Sequence, residues 1–266
     1  MSSDAVAAFR KSVWNNYEKN GRHELPWRKT KDPYRVLVSE VMLQQTQVSR
    51  VMEKYKEFLK AFPIVRTLAK APLADVLRVW SGLGYNRRAK YLHDAAKKIV
   101  KVGTIKKTLE GSLSGVGPYT RAAVRVFAFN KPDVLIETNI RTAFINHFFP
   151  SKKTVADKEL LPLIKKAAEG QDSKEWHWAL MDYGAYLKRL GVRNNHRSAH
   201  YVKQSKFENS LRQIRGTILR ELQKGSRTEN AMRSDLIASR GKLKNALAGL
   251  ARDGIIVKEK GKWRIV

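Results

Sequence analysis

The chain has 266 residues, with 53 Lys plus Arg against 24 Asp plus Glu, a formal net charge of +29 and no cysteine. The length suits two compact domains, and the charge excludes a reading without a polyanionic partner: DNA, RNA or an acidic membrane face. The missing cysteines exclude disulfides, thiolate zinc sites and cysteine-held iron–sulfur clusters.

Apolar residues at helical spacing predict helices over 4–19, 33–47, 48–61, 73–81, 86–101, 119–129, 138–148, 155–168 and 173–190. The breaks fall at Pro26, Pro33, Pro63, Pro72, Gly82 and Gly84, Gly103, Gly115 and Gly117, Pro132, Pro150 and Gly170. The first helix is charged and amphipathic, unlike an export signal, and no apolar run is long enough to span a bilayer. A soluble chain with no membrane association, cytoplasmic and at the nucleoid, is expected.

Within the second helix, Glu40 stands among Val36, Leu37, Val38, Val41, Met42 and Leu43. Most helical Glu residues face solvent, but here polar neighbours begin only at Gln44-Gln45-Thr46-Gln47. A buried carboxylate resists ionisation, and a carboxylic acid kept protonated near neutral pH is a general acid. Further on, Leu113-Ser114-Gly115-Val116-Gly117-Pro118-Tyr119-Thr120 sets two glycines at a tight turn before a helical run. Such a turn brings backbone N–H groups and a positive helix end close to a phosphate. An ordinary capped connection between helices uses the same residues.

Glu137 follows the apolar Val134-Leu135-Ile136 and precedes the helix from 138. That position suits a helix cap, and the helix dipole there favours a negative charge. The two roles coexist. One neutral acid and one charged one are what cleavage of a glycosidic bond through a cationic transition state requires. Trp27, Tyr85, Tyr119 and Trp178 lie beside Gly, Pro or polar residues, where rings stack on unpaired bases or simply join the core. His196 and His200 are four apart but lack the Glu of a metalloprotease motif, so no metal site is expected.

Residues 199–206 read as a linker after a first domain of 1–198. In the last domain, 207–266, three helices are marked by Leu211, Ile214, Ile218 and Leu222, by Leu236 and Ile237, and by Leu243, Leu247 and Leu250. A hairpin over 254–266 completes a winged-helix pattern. Residues 199–266 hold 16 Lys/Arg against 6 Asp/Glu, which fits a phosphate contact or a solvated face on a protein-docking module.

Six blocks occur in order: Leu25-Pro26-Trp27-Arg28, Asp32-Pro33-Tyr34, Ser39-Glu40-Val41-Met42-Leu43-Gln44-Gln45-Thr46-Gln47, Gly82-Leu83-Gly84-Tyr85, Gly115-Val116-Gly117-Pro118-Tyr119-Thr120 and Ala179-Leu180-Met181-Asp182-Tyr183-Gly184-Ala185. Together, over about residues 5–188, they resemble the catalytic domain of MutY-type adenine DNA glycosylases, within the helix-hairpin-helix (HhH-GPD) superfamily. The resemblance implies an all-α, two-lobed glycosylase domain with double-stranded DNA in its cleft, here followed by the small winged helix. It implies a flipped base in a pocket of Leu25, Trp27, Arg28, Glu40 and Trp178. Glu40 would protonate the base and assist attack of water, with Glu137, Tyr119 and Asn139 in the same machinery. Gln45 and Tyr85 would wedge into the duplex. Gly115, Gly117 and Thr120 would hold a DNA phosphate, with a monovalent cation at the hairpin. Tyr119 stands where related bifunctional enzymes carry a Schiff-base lysine, which favours simple hydrolysis; separately, a monomer is expected.

Four departures qualify the resemblance. Lys188-Arg189-Leu190-Gly191-Val192-Arg193 replaces the start of the family's iron–sulfur loop, so no cluster is expected and Lys188 and Arg189 become candidate DNA contacts. Glu137 replaces an aspartate, Trp178 replaces a polar reader of the adenine edge, and the winged helix replaces the domain that reads 8-oxoguanine. The favoured substrate is adenine opposite 8-oxoguanine or guanine; thymine or uracil opposite guanine, hypoxanthine and other modified bases stay open. The rival reading is a catalytically silent lesion sensor on the same fold.

Overall fold

Proline and glycine set the helix limits in the computed structural model, which describes residues 3–111, 113, 115–203, 206–235 and 240–266. The elements are α1 (Ser3–Asn20), α2 (Pro33–Leu43), α3 (Val48–Ala61), α4 (Val65–Lys70), α5 (Leu73–Trp80), α6 (Arg87–Val102), α7 (Ile105–Thr108) and α8 (Pro118–Phe129). They continue with α9 (Thr138–Phe148), α10 (Asp157–Ala168), α11 (Ser173–Arg189), α12 (Leu211–Leu222), β1 (Arg227–Thr228), α13 (Glu229–Asp235), α14 (Arg240–Arg252), β2 (Ile256–Glu259) and β3 (Lys262–Ile265). Among the described residues no helix is long and apolar enough to cross a membrane. The expected Leu236 and Ile237 lie outside the described residues.

Contacts divide the chain into two units, Met1–Val36 with Pro118–Lys203, and Leu37–Gly117 with Gln204–Val266. The C-terminal module thus groups with the 37–117 segment.

In the first unit α11 packs on α1, α8 and α9. Phe9 sits at its centre, with Phe144, His147, Phe148, Trp176 and Tyr183 around the ring at 4.8–6.4 Å between centroids. Close approach of α11 to α9 depends on Gly184. A Cβ there would fall 2.0 Å from the Asn139 carbonyl oxygen, so any side chain would push the start of α9 away.

In the second unit α6 carries α4, α5 and α7, and Trp80 is fully buried against Phe58. The C-terminal module packs α12 on α14 through Ile214, Ile218, Leu243 and Leu247, as the apolar spacing requires. Its strands form an antiparallel sheet of order β1-β3-β2, with Ile256 opposite Ile265.

The connection from α7 to α8 is a tight hairpin in which the Val116 N–H donates to the Leu113 carbonyl at 3.1 Å. Gly115 takes φ +70°, and a Cβ on it would lie 2.3 Å from Tyr91, so glycine is required there on two counts.

Candidate active site

The carboxylate of the first unit is built by the start of α9. Leu135 is buried and anchors the extended segment before it. Its N–H donates to His177 Nε2 at 3.4 Å, while His177 Nδ1 donates to the Ser173 carbonyl at 2.6 Å. This arrangement uses the neutral imidazole, and burial holds His177 below its usual range. Glu137 then caps α9. Its Oε1 accepts from the Asn139 and Ile140 N–H groups at 2.8 and 3.0 Å. Its Oε2 accepts from Asn139 Nδ2 at 3.3 Å. Asn139 Oδ1 in turn accepts from Lys188 Nζ at 2.7 Å.

Two cations therefore attend Glu137. Burial pulls the Lys188 ammonium down, and the Glu137 charge acts against that. Arg141 is raised by its hydrogen bonds to Asp157, at 2.7 and 2.8 Å, with Glu137 and Tyr119 adding to the same effect. Tyr119, half-buried, thus lies in the electrostatic reach of the same cluster. Helix end, amides and cations all favour a negative charge at this point.

The expected base-pocket residues of this unit are tied into a packed assembly. Arg28 forms a fork to Asp182 at 2.7 and 2.8 Å, with both side chains almost fully buried. Arg22 donates to the same carboxylate at 2.7 Å. Burial alone would raise Asp182, but the Arg28 hydrogen bonds and the two guanidinium charges win and hold it below the usual carboxylate range. Trp178 is 6% exposed. Phe127 stacks on it at 5.7 Å and 14°, while the Arg28 and Lys174 cations lie 5.3 and 4.9 Å from the ring centre. The ring, expected to line the base pocket, is thus packed among Phe127, Arg28 and Lys174. Leu25 and Trp27 are buried as well.

Two other expectations change. Thr120, expected at DNA, is buried, because it shares the inward face of α8 with Ala123, Val124 and Phe127. Lys188 and Arg189 form the last turn of α11, and the Lys188 side chain turns inward to Asn139. Arg189 stays exposed and shares a recess of about 630 Å³ with Arg193 and His196.

In the second unit Glu40 is 8% exposed, as its apolar neighbours require. Beyond it, α2 ends at Leu43, four residues earlier than the periodicity suggests. The cause is Arg88, which the sequence reading missed. Its Nη1 donates to the Val41 and Met42 carbonyls at 2.9 Å and to that of Gln44. Its Nη2 donates to Thr46 Oγ1 and the Leu83 and Gly84 carbonyls at 3.1–3.2 Å. One buried guanidinium thus closes the open end of α2 and fastens loop 44–47 to loop 82–85. Burial pulls it down to about 10.

At the tips of those two loops stand Gln45 and Tyr85, with φ of +53° and +48°. Neither is a residue that adopts this conformation readily, so each stores roughly 1–3 kcal/mol of strain, a feature concentrated at functional sites. Both line a cavity of about 530 Å³ and a second of about 890 Å³ that reaches Gly115. Gly117 is exposed, and a Cβ there would meet nothing within 4 Å.

An iron–sulfur cluster does not fit this chain. The stretch 188–193 holds no cysteine, and it closes on itself through Gly191 N–H to the Lys188 carbonyl and Val192 N–H to the Leu187 carbonyl.

A family model described as HhH-GPD superfamily base excision DNA repair protein matches residues 38–168. An adenine DNA glycosylase of Buchnera aphidicola subsp. Baizongia pistaciae is 33% identical over 190 residues, covering 67% of this chain and 52% of that protein. The human adenine DNA glycosylase is 32% identical over 197 residues, covering 68% of this chain and 36% of its own length. The chain thus spans about half the length, or less, of these curated relatives. The solved structure of a thermostable thymine-DNA glycosylase superposes with a TM-score of 0.61 at 26% identity, covering 68% of this chain and 87% of that one.

Proposed function

The chain belongs to the HhH-GPD superfamily of base excision DNA repair proteins, and from that premise we propose that it is a monofunctional DNA glycosylase acting on double-stranded DNA. The observation that carries the reading is the pairing of acid types. Glu40 is buried on α2 within a run of apolar residues, while Glu137 is fixed by two amides at a helix start beside Lys188 and Arg141.

The two acids have different tasks. Glu40 delivers a proton to the leaving base as the bond from its nitrogen to C1′ breaks, and the bonding electrons stay with the base. The sugar becomes an oxocarbenium ion, whose positive charge the Glu137 carboxylate offsets. Water adds to C1′ and gives its proton to the Glu40 carboxylate, which restores the acid. Tyr119 provides no amine for a Schiff base, so the strand stays intact. A monovalent cation at the hairpin remains part of the proposal, and no step depends on it.

Adenine is the favoured base, supported by the relatives named adenine DNA glycosylase, and we place 8-oxoguanine or guanine opposite it. Thymine is the second reading. Its support is the likeness to a thymine-DNA glycosylase over most of that protein's length, together with a Trp178 that offers the adenine amino group no acceptor. Labelled duplexes, each with one mismatch or lesion, distinguish them: strand breaks that appear only after alkali identify the base and the monofunctional mode. Breaks without alkali, or no excision of any base, contradict the reading.

A further inference from the structure

The second unit contains a contact that the glycosylase reading does not use. Arg212, in the first turn of α12, donates from Nη1 to Tyr85 Oη. Its guanidinium lies 5.2 Å from the centre of the Tyr85 ring and 5.6 Å from that of Phe207. The C-terminal module is further fastened at Asp253, which pairs with Arg215 of α12 and with Arg87 of α6 at 3.7 Å. An arginine from the module is thereby held in a fixed pose over one of the two strained loop tips.

Gln45, Tyr85 and Arg212 line both cavities of this unit, about 530 and 890 Å³. These are sizes that admit a planar ligand. Cations outnumber acids in the walls: Arg50 and Arg220 line one, and Arg87, Arg88, Lys206 and Arg215 line the other beside Glu208 and Asp253. The chemistry offered is specific. Tyr85, whose ring also has the Arg88 guanidinium 5.4 Å from its centre, supplies an aromatic ring for stacking. Arg212 supplies a planar fork of donors and no acceptor. Guanine presents two adjacent acceptors, O6 and N7, on one edge, and no other standard base does so. Glu40 lines neither cavity, so a base held here is not the one that Glu40 protonates.

We propose that Arg212 is a specificity-determining residue that reads guanine as the base opposite the excised one, with Tyr85 as its stacking platform. This rests on the glycosylase reading for the identity of the ligand as DNA. It refines that reading at the opposite strand: guanine is preferred over 8-oxoguanine, because 8-oxoguanine carries hydrogen on N7 and meets the fork with a donor.

The test uses the full chain and duplexes with a tetrahydrofuran abasic analogue, which has no base to remove. Opposite the analogue stand guanine, 8-oxoguanine, adenine, cytosine or thymine, and binding is read by fluorescence anisotropy. The wild type is expected to favour guanine over each alternative by about tenfold or more. Arg212→Ala and Arg212→Lys are expected to reduce that preference to within about twofold, Lys because it keeps the charge but lacks the fork. Lys also serves where the Ala variant fails to fold. A wild type without guanine preference, or variants that keep it, overturns the proposal. Failure of the glycosylase reading shows separately, as absent excision in the lesion panel.

Discussion

Lys188 reaches from the last turn of α11 to donate to Asn139 Oδ1 at 2.7 Å, and this bond decides which way the Asn139 amide faces. With its oxygen held by Lys188, Asn139 turns Nδ2 toward the Glu137 carboxylate. A lysine that charge alone suggests for DNA therefore orients a neighbour of the proposed counter-ion.

Lys188→Met should lower the single-turnover rate of base release by about 10–100-fold, the worth of one hydrogen bond in a charged network. Duplex affinity should change little. Rate and affinity come from the same quench-flow and anisotropy series. A large loss of affinity at constant rate would return Lys188 to the role of a DNA contact.

Glu137 is both cap and proposed counter-ion, and two variants separate the roles. Glu137→Gln keeps an oxygen for the Asn139 and Ile140 N–H groups but removes the charge, and should be inactive in a single-turnover assay at unchanged melting temperature. Glu137→Asp keeps the charge and should retain measurable activity. Normal cleavage by Glu137→Gln would leave Glu137 as a cap alone.

Arg88→Lys should loosen both strained tips. A lysine head has three donors and cannot span the acceptors that Arg88 joins in loops 44–47 and 82–85. Hydrogen exchange should quicken in residues 41–46 and 83–85 while the α9 and α11 amides keep their protection. Unchanged exchange in both loops would show that the loops hold without the clamp.

How much of this was legible in the sequence follows from the reach of each interaction. Glu40 was legible because burial follows from its immediate neighbours, and the cap at Glu137 because an apolar run, an acid and a helix are adjacent in the chain. Helix α3 appears at its expected limits. The short α4 and α7, of six and four residues, escaped because neither completes enough turns to show a period. Arg88 escaped because its partners in α2 and loop 44–47 lie more than forty residues away, and helical spacing cannot tell a solvated arginine from one that ends another helix. Trp178 was placed at the base by family position, whereas its neighbours Phe127 and Lys174 come from packing that no local pattern reports.

Stability should decline as pH falls below about 6.5. Burial, its largest cause in each, lowers His93, His147 and His177 from the usual value. The unfolded chain, with ordinary histidines, then binds more protons than the folded one just below 6.5, so acid favours unfolding. For His177, which is 1% exposed, the slope is at most about 1.4 kcal/mol per pH unit. Urea unfolding at pH 7.5 and 5.5 measures this, and equal stability at both values would mean the histidines are not held neutral.

The most direct test of the central claim is single-turnover base release by the wild type and Glu40→Gln on the duplex that the lesion panel selects, with binding measured in parallel. Wild type should release the base and leave an alkali-labile site. Glu40→Gln should bind the duplex yet release the base at least about 10²-fold more slowly, since general acid–base catalysis is worth about 10²–10⁴-fold. Release by Glu40→Gln at more than a tenth of the wild-type rate would contradict the account.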